Sequence, residues 1–190
     1  MKDFEKQMTQ YWMKEFPSVW SFLGSPEEAG KIPTEHKDQI HFLNDRGTEL
    51  IEQFLESSKM TKGFPFKPFI DYFKRIDDFR ITENCDTEIK KWLYNKGIPF
   101  SKYVFIDYDR SGHALMLTWK MILKYWEGIF FAEDILIFDS ALQWGLFYYH
   151  GDQLWFGSEV IFKPKAEVQR TIEMNEILKS LSNANKGYEA

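Results

Sequence analysis

At Tyr103 the chain changes period. Tyr103-Val104-Phe105-Ile106-Asp107-Tyr108 and His113-Ala114-Leu115-Met116-Leu117-Thr118 are runs rich in β-branched, aromatic and apolar residues. Asp109-Arg110-Ser111-Gly112 between them has the composition of a tight turn with glycine at a left-handed position. The two runs read as an antiparallel hairpin, whose apolar face has to be covered. A cover follows directly. Trp119, Ile122, Leu123, Trp126, Ile129 and Phe130 recur at helical spacing, with Lys120, Lys124 and Glu127 on the other side, so a helix is expected to cross the sheet.

More sheet follows. Ile135-Leu136-Ile137-Phe138 reads as a buried strand, and Leu146 to His150 and Leu154 to Phe156 as two shorter ones, the last able to continue through Val160-Ile161-Phe162. Gly151-Asp152 between them carries a two-residue hairpin signal, since glycine takes positive φ without steric cost. After Pro164, Met174, Ile177, Leu178 and Leu181 at i, i+3, i+4 and i+7 predict a helix over about 165–182, and the tail SNANKGYEA is expected to fray.

Upstream of Tyr103 the pattern is helical. Ser25-Pro26-Glu27-Glu28 is a capping box opening a short helix that ends at Gly30. Ile40, Leu43, Gly47, Leu50 and Phe54, widened by Ile51 and Leu55, predict one long amphipathic helix over about 34–58. Lys62-Gly63-Phe64-Pro65-Phe66-Lys67-Pro68 breaks regular structure and is the internal boundary. Helical segments are expected over about 68–78 and 86–96, the second with Ile89, Trp92 and Leu93 on one face and Gly97 at its C-terminal cap. The fold class is therefore α+β: a mainly antiparallel sheet in the C-terminal half covered by helices, with a helical N-terminal third. One domain is expected over residues 1–190, with a helical part to about 62 and an α/β part over about 68–182. Its 18 Phe, 9 Tyr and 7 Trp are far too many large apolar side chains for a disordered polymer.

Charge and motif content exclude several chemistries. A net charge of -5 argues against a general affinity for phosphate backbones or anionic lipid and favours a basic partner. The opening MKDFEKQMTQYW has no continuous apolar stretch of the signal-peptide kind, and no apolar run is long enough to span a bilayer, so a cytoplasmic location without membrane contact is expected. Cys85 is the single cysteine, which leaves no internal disulfide, redox pair or cysteine-rich zinc site. His36 and His41 are five apart, not the i, i+4 pair of a zinc helix, and no metal or other cofactor is expected. There is no G-x-S-x-G elbow, Walker loop or G-x-G-x-x-G turn, and no catalytic residue is assigned. His150 has only Asp152 near it in sequence, a spacing that fits no triad, and reads as the end of a strand. The acid pairs Asp77-Asp78 and Glu133-Asp134 read as solvated charges. Phe147, Tyr148, Tyr149, Trp155 and Phe156 could stack bases, but strand alternation divides them between two faces and an aromatic core is the simpler reading.

Leu117-Thr118-Trp119-Lys120, Lys124-Tyr125-Trp126, Asp134-Ile135-Leu136-Ile137, Trp144 and Tyr149-His150 through Phe156-Gly157 form a pattern of aromatics and turns over about residues 100–160. In this pattern the chain resembles bacterial immunity proteins of polymorphic toxin and contact-dependent inhibition systems. The resemblance implies a cytoplasmic, non-enzymatic inhibitor that binds one cognate toxin domain, commonly a nuclease. An acidic inhibitor matches the positive surface with which a nuclease holds phosphate. The residues expected to meet such a basic partner are Asp77, Asp78, Glu83, Asp86 and Glu88, followed by the aromatics Tyr149 and Trp155. Two other classes stay open: a small enzyme, which needs a deep pocket with convergent polar groups, and a regulatory interaction module, which needs an exposed apolar patch.

Overall fold

The computed structural model describes residues 2–17, 30–108, 112–131, 133–166, 168–169, 172–174 and 176. Its strands are β1 (Ile40–Phe42), β2 (Phe73–Arg80), β3 (Tyr103–Tyr108), β4 (Leu115–Thr118), β5 (Ile135–Phe138), β6 (Trp144–Tyr149) and β7 (Gln153–Val160). They form one sheet in the order β1-β4-β3-β5-β6-β7-β2, with every neighbouring pair antiparallel. The helices are α1 (Lys2–Met8), α2 (Thr34–Lys37), α3 (Asp45–Ser58), α4 (Asp86–Tyr94), α5 (Trp119–Lys124) and α6 (Trp126–Ile129). This is the α+β class that the sequence predicts. Residues up to Val160 form one compact unit and Ile161–Ala190 a second, in which 164–166, 168–169, 172–174 and 176 are helical. Among the described residues, no helix is long and apolar enough to cross a membrane.

The register divides the sheet into two faces. Phe105 pairs with both Met116 and Phe138, and Phe138 with Gly145, so alternate residues between them point the other way. One face carries Val104, Ile106, Leu115, Leu117, Ile135, Ile137, Leu146, Tyr148, Leu154 and Phe156, all buried. These pack with Ile89 and Leu93 of α4, Trp119 and Ile122 of α5, and Trp126 and Ile129 of α6 in the main core. The other face carries Phe105, Phe138, Gly145, Phe147 and Gly157. Phe4 of α1 stacks on Phe54 of α3 at 4.8 Å between ring centroids and meets Phe105 edge-on at 5.5 Å. Phe64 lies 4.2 Å from Phe147.

The predicted hairpin is present as β3 and β4, and the strand Ile135–Phe138 as β5. Several boundaries differ. The expected helix over 34–58 is interrupted by β1, which pairs Ile40 with Leu117 and Phe42 with Leu115. The helix restarts as α3 because Asn44 caps it, its Oδ1 accepting from the Gly47 N–H at 3.0 Å. The segment expected to be helical over about 68–78 instead enters the edge strand β2 at Phe73. The helix after Thr118 turns at Tyr125, where φ is -117° and ψ 26°, and becomes α5 and α6. The loop between β6 and β7 has three residues, because Tyr149 pairs with Gln153. Its left-handed residue is Asp152, at φ 65°, and not Gly151. Aspartate tolerates this conformation, and a left-handed last residue is usual in three-residue hairpin loops. The capping box at Ser25, the turn residues 109–111 and the helix beyond 176 lie outside the described residues.

Candidate partner-binding face

Strand β6 sorts its aromatics by parity. Tyr148 points into the face covered by α4, α5 and α6, where it is fully buried and donates from its hydroxyl to the Phe131 carbonyl at 2.9 Å. Burial, and after it the negative charge of Asp152, push this phenol up to about 12. The folded value is raised above the ordinary 10, so the linked stability is fully present below pH 10 and is lost as pH rises towards about 12. In denaturation midpoints measured across that interval, Tyr148→Phe is expected to show a shallower decline than the wild type. Equal slopes would show that Tyr148 ionises as an exposed phenol does.

Phe147 and Tyr149 point to the opposite face. Phe147 stacks on Trp155, with ring centroids 5.8 Å apart and planes 19° from parallel. In the β2–β7 register Trp155 lies opposite Asp78, and Gln153 Nε2 donates to Asp78 Oδ2 at 3.1 Å. Asp78, Tyr149 and Trp155, separate in sequence, are therefore collected at one end of one face. Beside them a cleft of about 420 Å³ opens between residues 61–65 and strands β3, β5 and β6. Phe64, Phe147 and Tyr149 are apolar walls, and Asp107 and Asp134 supply carboxylates.

The remaining acidic candidates lie elsewhere. Asp77, on the opposite side of β2 from Asp78, forms an ion pair with Lys96. The Lys96 side chain is only 7% exposed, and its ammonium sits 3.6 Å from the Trp92 ring centroid. Asp77 is thus the counter-ion of an almost buried cation. Asp86 binds Lys90 at 2.6 Å and accepts from Trp126 Nε1 at 2.9 Å. The Lys90 bond first, then the Trp126 bond, hold its carboxyl below the usual range. Glu83 and Glu88 are exposed, in the β2–α4 connection and on α4. The acidic run from Asp77 to Glu88 is therefore divided, with Asp78 alone placed beside Tyr149 and Trp155.

His150 does have an acidic partner, Asp134, which sequence proximity did not suggest. Asp134 Oδ1 lies 2.7 Å from His150 Nδ1 and accepts from the His150 backbone N–H at 2.9 Å. A histidine oriented by a carboxylate supplies two of the three members of a hydrolytic triad. Among the described residues, however, His150 makes no hydrogen bond to a serine, threonine or cysteine side chain, and the double contact anchors the hairpin loop to the start of β5. Asp107 also lines the cleft, although no sequence motif singles it out. Its signal was parity, since it shares a strand face with Phe105. The other histidines are dispersed: His36 Nδ1 lies 2.6 Å from the Tyr125 hydroxyl, His41 stacks on Trp12 at 3.5 Å, and His113 lies 3.6 Å from Asp45. Among the described residues, no three His, Cys, Asp or Glu side chains converge as a metal-ligand set. No family model, curated protein or solved structure matches the chain, so the functional reading rests on this geometry and on the residue pattern.

Proposed function

We propose that the protein is a non-enzymatic immunity protein that binds and neutralises a cognate basic toxin domain, a nuclease being the best-fitting kind. Its binding face carries Asp78, Asp107, Asp134, Tyr149 and Trp155. The observation that supports this reading is the grouping of partly exposed aromatics with carboxylates around an open cleft on an acidic protein. Aromatic anchors supply most of the energy at protein interfaces, whereas surrounding charges steer encounter.

The test is co-expression with the basic toxin domain encoded beside this chain, together with association and dissociation rates at low and high salt. Trp155→Ala is expected to weaken binding about thirtyfold or more, mainly through faster dissociation, as loss of an interface anchor does. Asp78→Lys is expected to slow association and flatten its salt dependence. Asp77 is left intact, because a lysine there would face Lys96. Failure of the wild-type protein to protect cells removes the immunity reading. Protection that survives both substitutions together removes this face as the interface.

A further inference from the structure

On the side of the sheet covered by α4 and α5, these two helices and the 99–101 turn border a shallow, open groove of about 600 Å³. Lys90 and Lys91 rise from α4, and Lys120 and Lys124 from α5, all exposed and with no carboxylate lining the space between them. Lys90 is neutralised by Asp86. Among the described residues, no carboxylate forms an ion pair with Lys91, Lys120 or Lys124.

The floor is apolar. Tyr94 and Phe100 are 62% and 51% exposed, with ring centroids 5.9 Å apart, and Leu123 completes the surface. The Lys120 backbone N–H donates to the Phe100 carbonyl at 3.0 Å and fixes that residue beside α5. Two large aromatics left half in water at a lysine rim lose solvation free energy that a ligand recovers.

We infer that this groove binds a single-chain anionic amphiphile of the fatty-acid class. The alkyl chain lies on Tyr94, Phe100 and Leu123, and the carboxylate is held by Lys91, Lys120 and Lys124. Three considerations select this ligand. The floor presents almost no polar surface, so beyond the Tyr94 hydroxyl it has no group with which to read the edge of a base or a sugar. The positive charges sit on flexible stems at the rim, where they reach a head group without requiring one fixed bidentate geometry. A protein partner commonly buries about 800 Å² on each side, far more than a floor of three side chains offers, whereas small-molecule sites occupy about 300–1,000 Å³.

The experiment is titration calorimetry of the full chain with dodecanoate below its micelle concentration, then with decanoate and octanoate, dodecanol, dodecyltrimethylammonium, and vesicles of an anionic phospholipid. Dodecanoate is expected to bind saturably at one site, with affinity falling up to about fourfold for each methylene removed. The trimethylammonium compound is expected to bind at least about tenfold more weakly than dodecanoate, because its charge is wrong for the rim. Reversal of Lys91, Lys120 and Lys124 to glutamate, at exposed positions, is expected to leave the denaturation midpoint close to wild type and weaken dodecanoate binding at least about tenfold. Phe100→Ser is expected to weaken it independently of charge. Absence of saturable binding, equal affinity for the cationic compound, or unchanged affinity in either variant would overturn the inference. Binding to vesicles without binding to free dodecanoate would overturn it in favour of a membrane surface.

Discussion

Trp126→Ala is expected to destabilise the folded chain by about 3–5 kcal/mol, the range for truncating a large buried aromatic. Trp126 is 7% exposed and packs in the helix-covered core. Its indole also links two helices, since Nε1 donates to Asp86 Oδ1 on α4 at 2.9 Å. A comparison of phenylalanine substitutions separates packing from hydrogen bonding. Trp126→Phe retains much of the apolar contact but removes the bond to Asp86, a charged acceptor. Trp119 is fully buried, but its Nε1 has no hydrogen-bond partner among the described residues. Trp119→Phe therefore loses volume and no bond. Denaturant unfolding of the three variants is the measurement. A Trp126→Ala midpoint equal to wild type would place the residue outside the core.

Gly157→Ala is the second substitution with a large expected effect, although it adds one methyl group. Gly157 lies on β7 opposite Ile76, and a Cβ built there enters the Phe73 ring and comes within 2.9 Å of Phe69 Cδ2. Neither ring has an exit: Phe69 and Phe73 are buried and packed edge-to-face, with centroids 5.3 Å apart. The cost is expected to be about 1–3 kcal/mol, the usual range for overpacking, and to rise further for Gly157→Val. The origin is packing and not backbone strain, since Gly157 is not among the residues with positive φ. Phe73→Leu should then recover part of the loss when combined with Gly157→Ala. Strict additivity in this double-mutant cycle would show that the two sites do not touch.

What could be read from the residues follows how completely each element is buried. β3, β4 and β5 are flanked on both sides by other strands, and their apolar runs carry their identity. β2 has no such signature. Only Phe73 of its eight residues is buried, and an edge strand wetted on most of its surface shows neither the period of a strand nor that of a helix. β1 was hidden for another reason: Ile40 and Leu43 stand three apart and continued the spacing of the helix that follows. In the candidate site, Asp78, Tyr149 and Trp155 were each visible as residue types. Their meeting depends on β2 returning along β7, a pairing of distant segments. The Asp134–His150 contact spans 16 residues and two strand ends, a separation at which local spacing carries no information.

The same edge strand bears on how the molecule avoids its own kind. Among the described residues β2 pairs with β7 alone, so one side of an eight-residue strand offers free backbone donors and acceptors to any passing chain. Lys74, Arg75, Asp77, Asp78 and Arg80 occupy that strand, and Arg75 reaches Glu159 of β7 at 2.7 Å. A second strand docking here would have to strip water from these charges, a cost that discourages intermolecular pairing. The charges that obscure β2 as a strand thus guard the longest open edge of the sheet against growth into an aggregate.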